Sequence, residues 1–487
     1  MKLLFDTNIF IPLEPGDTKG LEDGSEGAAV LSAAVHEGSH QIFLHPAISS
    51  DIARDRDQDR AALRRLLVRK YPELPDPPSM PTSFAAIIGE ASHGTNDWVD
   101  NQLLAALFAN AVDLLVSEDR GVLSKAKRLG LRDRVLTAKE AVDYLTGLQE
   151  REATPPPAVR LSKAHSIKAD DPILASFRED YEGFDNWFEK CQKEHRPAFV
   201  IEASAERVAA LCLFKHEEDS VFGLDGKILK ICSFKVAKEY NGFRYGELLL
   251  KALLEQAFTN EYTCVFVTVF EKHGSLVELF EDFGFEIIGD RTSLGELVLV
   301  KELTCPESSD LAPLDFHIKY GPWHFRSNVS WYIVPIQPRY SDILFPETAS
   351  QGSLFPGAGA FGNAIRKAYL CRSGNRSLAP GDVVAFYRSE ARQGVVALGV
   401  VEKVIATSES AEISRAVARR TVYTDQEIQE MCESEALAIL FRQARPIETE
   451  LTAARLLEAG VINGPPQSVQ QIQEKGIEWF KAQILQR

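Results

Sequence analysis

The feature that most constrains the fold is a short, bulky apolar run near the N-terminus with polar residues directly after it. The run is Leu3 to Phe5, and Asp6-Thr7-Asn8 follows. A run this short and continuous is typical of a parallel strand that is buried on both faces. Ligands of open α/β sheets bind beyond the carboxyl ends of the strands, so we expect Asp6 at the functional edge of a sheet. The alternative is a strand that ends in an ordinary Asx-turn.

The length and composition indicate a multidomain globular protein. The chain has 487 residues, more than one hydrophobic core usually holds, and is 45% hydrophobic and 25% charged. No stretch approaches the roughly 18 consecutive apolar residues of a membrane span, so no membrane partner is expected. The seven cysteines are scattered and none forms a CxxC pair, which is typical of reduced thiols in a cytoplasmic protein. A net charge of −16 argues against broad adhesion to nucleic acid, although a local basic rim is compatible with it.

Carboxylates recur at the ends of the predicted elements in residues 1–150. Asp6 follows a strand, Asp51 opens a helix, Asp100 lies near the start of another helix, and Asp119 follows the strand DLLVS. Such positions converge on one edge of a parallel sheet, where like charges are costly unless a cation neutralises them. The pattern therefore predicts a Mg²⁺ or Mn²⁺ site that activates water for attack at phosphorus.

Three of these segments, LLFDTN (3–8), DNQLLA (100–105) and LLVSED (114–119), together with the segment around Asp51, resemble the PIN nuclease family. The resemblance implies an α/β/α domain over residues 1–150 that cuts single-stranded RNA with one or two metal ions. It makes Asp6, Asp51, Asp100 and Asp119 the metal ligands and the catalytic residues. Asn8 and Ser117 would be hydrogen-bonding groups behind them. The family more often has Glu where Asp51 stands, and three neighbouring acids compete for these roles, namely Asp55, Asp97 and Glu118.

A second α/β unit is predicted over residues 158–303, after a proline-rich linker. The strand ILKICSFKV (228–236) leads through EYNGFRYG into an apolar helix, and a helix that begins after such a loop is a natural seat for a pyrophosphate group. A tight turn explains the two glycines equally well.

The order of elements and the ending LFEDFGFEIIG (279–289) resemble the GNAT acetyltransferases. The resemblance implies an α+β domain that binds acetyl-CoA through Val236, Asn241, Gly242, Phe243, Arg244, Tyr245 and Gly246. Two departures put transfer in doubt. Arg244 stands where the family has its first loop glycine, and Phe280 replaces a tyrosine that often serves as general acid.

The third region, residues 316–487, contains the phrases GDVVAFYRS (381–389) and GVVALGVVE (394–402), which resemble the PUA-like barrels of the ASCH/EVE group. The resemblance implies a β-barrel with C-terminal helices that binds RNA or a modified base. The residues expected to stack on bases or contact phosphates are Lys367, Arg372, Phe386, Tyr387 and Arg388. The alternative is that the aromatic side chains alternate into the barrel core. The basic segment RAVARR (415–420) is a further candidate for RNA contact.

Three functions follow from these expectations. The first is a metal-dependent endoribonuclease that acts on RNA, with tRNA among the candidates, and has a role in toxin or defence systems. The second is an N-acetyltransferase that acts on an RNA-linked or protein amine and carries a degenerate PIN scaffold. The third is a non-enzymatic RNA-binding regulator. The expected partners are RNA, a cognate antitoxin or regulatory protein, and a second copy of the chain.

Overall fold

A computed structural model describes residues 1–14, 25–147, 157–204, 207–218, 222–240, 243–346, 360–390 and 393–485. The chain divides into two compact units. The first comprises Met1–Arg151 and Glu409–Glu433, and the second comprises Glu152–Ser408 and Ser434–Arg487. The second and third predicted domains thus belong to one compact unit, and the division into three domains at residues 150, 158, 303 and 316 stays a prediction. Among the described residues, no helix combines the length and apolarity that crossing a bilayer requires.

The first unit contains a four-stranded parallel sheet of order β2-β1-β3-β4. Its strands are β1 (Lys2–Phe5), β2 (Gln41–Leu44), β3 (Leu114–Val116) and β4 (Val135–Leu136). Its helices in the first 150 residues are α1 (Thr7–Leu13), α2 (Ser25–Glu37), α3 (Ile48–Ala53), α4 (Gln58–Val68), α5 (Thr82–Ile88), α6 (Asn96–Phe108), α7 (Arg120–Arg128) and α8 (Ala138–Gly147).

The apolar run at the N-terminus is the central strand β1, and the prediction of a parallel sheet is confirmed. Leu3 and Phe5 pack into a core on one face of the sheet, whereas Leu4 packs into a second core on the other face. Side chains alternate across a strand, so burial on both faces requires an uninterrupted apolar run. Parallel neighbours also need long crossovers, which the helices between the strands provide.

The second unit begins with a seven-stranded sheet of order β10-β11-β9-β8-β7-β6-β5. Its strands are β5 (Arg160–Lys163), β6 (Pro197–Ser204), β7 (Arg207–Glu217), β8 (Ile228–Val236), β9 (Cys264–Val269), β10 (Glu286–Arg291) and β11 (Leu297–Glu302). Its helices are α9 (Ala175–Asp180), α10 (Phe184–Lys193), α11 (Tyr245–Thr259) and α12 (Gly274–Asp282).

Neighbouring strands of this sheet are antiparallel except for β8 and β9. These two are parallel because helix α11 connects them as a crossover. The apolar side chains of α11, among them Leu249, Leu250 and Leu253, are buried against the sheet. The crossover therefore fixes where the N-terminus of α11 lies relative to the ends of both strands.

The remainder of the second unit is a six-stranded mixed sheet of order β13-β16-β15-β14-β12-β17. Its strands are β12 (Trp331–Ile336), β13 (Arg366–Cys371), β14 (Val383–Arg388), β15 (Gly394–Thr407), β16 (Ala436–Thr452) and β17 (Gln470–Gln471). The helices after residue 303 are α13 (Pro313–Tyr320), α14 (Pro338–Leu344), α15 (Ala360–Asn363), α16 (Ser410–Val417), α17 (Asp425–Met431), α18 (Ala453–Glu458) and α19 (Glu474–Leu485).

Helices α16 and α17 lie between strands β15 and β16 in the chain but belong to the first unit. Arg420 forms an ion pair with Asp133 at 2.5 Å, and Arg415 pairs with Asp113 at 3.3 Å. RNA contact by the RAVARR segment stays a prediction, although two of its three arginines form these pairs. The two guanidinium groups are engaged by carboxylates of the same unit, and the Arg420 side chain is only 5% exposed.

We expect Arg420→Ala to loosen the packing of α16 and α17 against the rest of the first unit. Removing one partner of a buried ion pair lowers the free energy of unfolding by about 3–5 kcal/mol. We expect a smaller loss here, because the Asp133 side chain is slightly exposed. Amide hydrogen exchange in residues 410–431 should therefore accelerate at least about tenfold. Arg415→Ala is the matched control and should have a smaller effect, because its pair is longer and more exposed. Equal exchange in Arg420→Ala and the wild type would contradict this account.

Candidate active site

The predicted carboxylates of the first unit lie near one another but are bonded to protein groups. Asp6 follows β1 and accepts hydrogen bonds from the Ser117 hydroxyl (2.6 Å), the Asn8 side-chain amide (2.8 Å) and the Thr7 backbone N–H (2.6 Å). Asp51 lies in α3 and accepts a hydrogen bond from the Thr7 hydroxyl at 2.6 Å. Asn8 and Ser117 thus both donate side-chain hydrogen bonds to Asp6.

Basic side chains of the same unit neutralise these acids. Arg54 pairs with Asp51, and Lys125 pairs with Asp100 at 3.1 Å. Asp119 caps α7 through the backbone N–H groups of the next turn. The three competing acids are also engaged, Asp55 by Arg60 and Arg64, Asp97 by Lys125, and Glu118 by the N–H of Ala138.

This arrangement corrects the prediction of a Mg²⁺ or Mn²⁺ site at Asp6, Asp51, Asp100 and Asp119. Within the described ranges, no group of three or more His, Cys, Asp or Glu side chains is arranged to hold a metal ion. The physical reason is that arginine, lysine and helix N–H groups already supply the positive charge that converging carboxylates require.

The Asp6 carboxyl is nevertheless electrostatically unusual. Burial raises its pKa to about 6, and the negative charges of Asp100 and Asp51 add to the effect, while the Ser117 and Thr7 hydrogen bonds oppose it. Burial also raises the pKa of Asp100, although Lys125 opposes that shift. These acids therefore interact, as their positions at the ends of elements predicted.

In the second unit, strands β8 and β9 separate partway along their length. Their pairing runs from Ile228↔Cys264 to Ile231↔Val267, although β8 continues to Val236. Over its full length, β8 pairs with β7 on its other side. The second half of β8 thus has one edge without a partner strand in the described part of the sheet, and the start of α11 follows this half in the chain.

The N-cap residue of helix α11 does not cap the helix with its own side chain. Arg244 is the N-cap residue, has a left-handed backbone (φ 58°), and makes no side-chain capping hydrogen bond. Its guanidinium bonds to Glu247 Oε1 at 3.0 Å, one turn into the helix. An uncapped helix N-terminus beside a guanidinium group presents N–H donors and positive charge, which together suit an anionic group.

The other residues predicted to bind the cofactor differ in what they do. Gly246 is buried in the first turn, where a Cβ atom would lie 2.8 Å from the Leu279 side chain, so this glycine allows close packing of α11. Phe243 is exposed, Val236 ends β8, and Tyr245 is the first residue of the helix. Asn241 and Gly242 lie outside the described residues.

Phe280 is fully buried, with its ring 5.3 Å from that of Phe234 and 5.0 Å from that of Phe285. It therefore packs in the core and offers no proton.

Three segments that the sequence did not single out meet at the carboxyl end of β9. They are the end of α9, the turn after β9, and the turn between β10 and β11. The Tyr181 hydroxyl donates to Glu296 at 2.6 Å, and the Tyr181 ring lies 5.3 Å from that of Phe270. Leu297, the residue after Glu296, pairs with Val269 at the end of β9. This junction places a buried carboxylate at the end of the strand that diverges from β8.

A carboxylate–imidazole pair lies at the same junction. His273 Nε2 is 2.8 Å from Asp180 Oδ2, and Asp180 also pairs with Lys272. Burial opposes ionisation of Asp180, but hydrogen bonds from Lys272 and His273 hold its pKa below the ordinary value. His273 is the N-cap residue of α12, and within the described structure its Nδ1 atom has no hydrogen-bond partner. In the sequence, Asp180 and His273 are 93 positions apart, and each is simply a polar residue at the end of an element, so no local pattern indicates that they pair.

The structure also corrects the expectation that three predicted RNA-binding residues lie on the surface. Lys367, Phe386 and Tyr387 are fully buried. Phe386 packs against Phe345 and Phe441, whereas Tyr387 belongs to a core on the other face of the sheet.

The charged members of this set differ in their surroundings. Lys367 donates to the carbonyl groups of Leu344 and Gly362, and Arg388 pairs with Asp342 at 2.5 Å. Arg372 is exposed. Binding of RNA by this region stays a prediction.

Comparison with known proteins identifies the acetyltransferase (GNAT) family in residues 163–285. Over 72 residues, the chain is 36% identical to a probable spermine N(1)-acetyltransferase of Bacillus subtilis subsp. natto (strain BEST195). It is 35% identical over 72 residues to a spermine/spermidine N(1)-acetyltransferase of Bacillus subtilis (strain 168). Each match covers 14% of this chain and 47% of the relative, so the chain spans about half the length of the curated relatives it matches.

Solved structures resemble parts of the chain. An ASCH protein from Zymomonas mobilis is 14% identical, with a TM-score of 0.25, over 31% of this chain and 94% of that chain. An acetyltransferase from Salmonella typhimurium with its cofactor acetyl-CoA is 15% identical, with a TM-score of 0.23, over 32% of this chain and 99% of that chain. TM-scores this low carry no conclusion about residues or activity, so the ASCH/EVE assignment of the third region stays a prediction.

These findings confirm the GNAT resemblance and overturn the principal functional prediction. The expectation that the chain is a ribonuclease is wrong, because the matched family and both curated relatives are acetyltransferases. The parallel sheet of the first unit is present, but nothing beyond the sheet bears out a PIN nuclease there.

The raised pKa of Asp6 predicts how pH affects the first unit. The pKa of Asp6 is about 6 in the folded protein and 3.8 in the ordinary case, so folding takes up a proton between pH 3.8 and 6. Above pH 6 the buried carboxylate lowers the free energy of unfolding. This loss is recovered as the pH falls through 6 and the carboxyl is protonated. Between pH 7.5 and 5, the wild type should gain about 1–2 kcal/mol relative to Asp6→Asn, which has no proton to take up. Chemical unfolding of both proteins at the two pH values measures this change. A stability difference that does not vary with pH would refute it.

Proposed function

We propose that this chain is an acetyl-CoA-dependent N-acetyltransferase that acts on a primary amine. The observation that carries the proposal is the GNAT family match over residues 163–285, which spans the diverging strands β8 and β9 and the uncapped start of α11. The uncapped helix and Arg244 suit a pyrophosphate group, and a free strand edge suits the amide groups of an extended pantetheine arm. When bound, acetyl-CoA supplies the acetyl group as a thioester.

The acceptor site in this proposal is the junction at the carboxyl end of β9. Glu296 is buried there, and Asp180 lies close to the same strand end. Carboxylates in a partly desolvated site attract a cationic amine. The curated relatives bear the names of spermine and spermidine acetyltransferases, so polyamines are the first substrates to test. An amine on a protein or an RNA is the next class.

A protonated amine must lose a proton before it attacks the thioester. With Nε2–H donated to Asp180, His273 keeps the lone pair of Nδ1 free to accept that proton. In this transfer the amine nitrogen would form the bond to the acetyl carbon and the carbon–sulfur bond would break. The remaining surplus proton on the nitrogen would pass through water to the leaving thiolate, because Phe280 has none to give.

The first test addresses acetyl-CoA binding. Calorimetry should detect binding to the wild-type chain. Arg244→Ala should weaken it about tenfold or more, because a hydrogen bond to a charged group contributes about 1.5–3 kcal/mol. Arg160→Ala, an exposed arginine of the same sheet, is the matched control and should bind normally. No binding to the wild type would refute the proposed function.

The second test addresses His273. With spermidine as acceptor, His273→Gln should lower kcat about 100-fold, within the range of general-base contributions, and leave the KM for acetyl-CoA unchanged. His216→Gln, an exposed histidine of the same sheet, is the control. If His273→Gln retains the wild-type kcat, another group is the base.

A further inference from the structure

A short segment of the third region bonds directly to the start of α11. This segment, residues 363–365, comprises Asn363 at the end of α15 and the two residues before β13. The Asn363 side-chain amide donates to the Phe243 carbonyl at 2.9 Å, and the Ile365 N–H donates to Glu247 Oε2 at 2.5 Å. In return, Lys251 of α11 donates to the carbonyls of Asn363 (2.9 Å) and Ala364 (3.1 Å). These bonds lie within the second compact unit.

The contact is buried and directional. Asn363 and Ala364 are almost fully buried. Burial raises the pKa of the Glu247 carboxyl, but Arg244, the Ile365 N–H and Lys251 together hold it below its ordinary value. Glu247 thus bonds to Arg244 through one oxygen and to residues 363–365 through the other. Apolar packing alone would leave the orientation of these groups undetermined, whereas hydrogen bonds specify it.

The backbone at Arg244 needs such support. Its φ of 58° is left-handed, a conformation that is unfavourable for a residue with a side chain. Such conformations persist where surrounding groups over-determine them. Here Asn363 holds the carbonyl before Arg244, and Glu247 holds its guanidinium.

We propose that residues 363–365 are positioning residues of the acetyl-CoA site, and that the third region is therefore part of the acetyltransferase rather than a separate binding module. This inference rests on the proposed function. The segment orients the Phe243 carbonyl, the left-handed Arg244 and Glu247. These groups in turn determine where the Arg244 guanidinium and the N–H groups of α11 would contact a pyrophosphate. Because binding linkage is reciprocal, acetyl-CoA should in turn slow amide exchange at residues 363–365.

The test is Asn363→Ala in the full chain, with Lys251→Met as a second variant that removes the bonds from the other side. Without ligand, amide exchange at residues 243–248 should accelerate several-fold in both variants. The dissociation constant and the KM for acetyl-CoA should rise about 3- to 10-fold, as expected for one lost hydrogen bond. At saturation, kcat should be unchanged. Asn463→Ala, at an exposed asparagine of the same region, is the control and should match the wild type.

The outcomes separate this inference from the proposed function. Unchanged exchange at residues 243–248 in folded Asn363→Ala would overturn the positioning role, whatever the chain binds. Unchanged acetyl-CoA affinity in that variant, with normal binding by the wild type, would also overturn it. Faster exchange at residues 243–248 in a chain whose wild type binds no acetyl-CoA would leave the positioning of the loop in place and refute the proposed function.

Discussion

The parallel pairing of β8 with β9 over only half its length is the constraint on which the proposed site depends. Had the two strands paired throughout, every backbone group between them would be satisfied, and no edge would be available to a ligand. Because the pairing ends at Ile231↔Val267, the rest of β8 keeps an unpartnered edge. The crossover helix α11 starts after that edge, and the segments carrying Glu296 and His273 meet at the end of β9. The proposed cofactor site and the proposed acceptor site thus depend on one local feature of the sheet.

The N-terminal unit shows how a chain can gather carboxylates without assembling a metal site. Burial raises the pKa of Asp6, and the nearby charges of Asp100 and Asp51 add to that shift, yet Arg54 pairs with Asp51 and Lys125 with Asp100. Converging acids need positive charge, but its source is not specified by the acids themselves. In this unit it comes from side chains and from the N-terminus of α7. The same principle operates at Asp113 and Asp133, which engage arginines of the segment between β15 and β16.

Burial was the property that sequence patterns predicted least well in the third region. Phe386 and Tyr387 are adjacent in β14, so their side chains point to opposite faces of the sheet. From the sequence alone, one of the two rings could lie in the core and the other in solvent. Both faces of β14 are covered, one by Phe345 and Phe441 and the other by the core around Trp331. The segments that cover them are remote in sequence, so no pattern within β14 distinguishes a stacking surface from a core.

Local patterns were enough for those elements whose stability is local. The short apolar run at residues 3–5 predicted a parallel sheet, because period and length reflect the backbone geometry of a strand. The helix after the EYNGFRYG loop and the glycine–phenylalanine ending carried a resemblance to the GNAT family, and that resemblance predicted the second domain. Contacts between distant residues lay beyond such patterns. Tyr181 meets Glu296 across 115 positions, and Asn363 meets Phe243 across 120. A hydrogen bond of this kind depends on where two elements come to rest in the folded chain, and that position is set by the packing of the whole core rather than by either residue's neighbours.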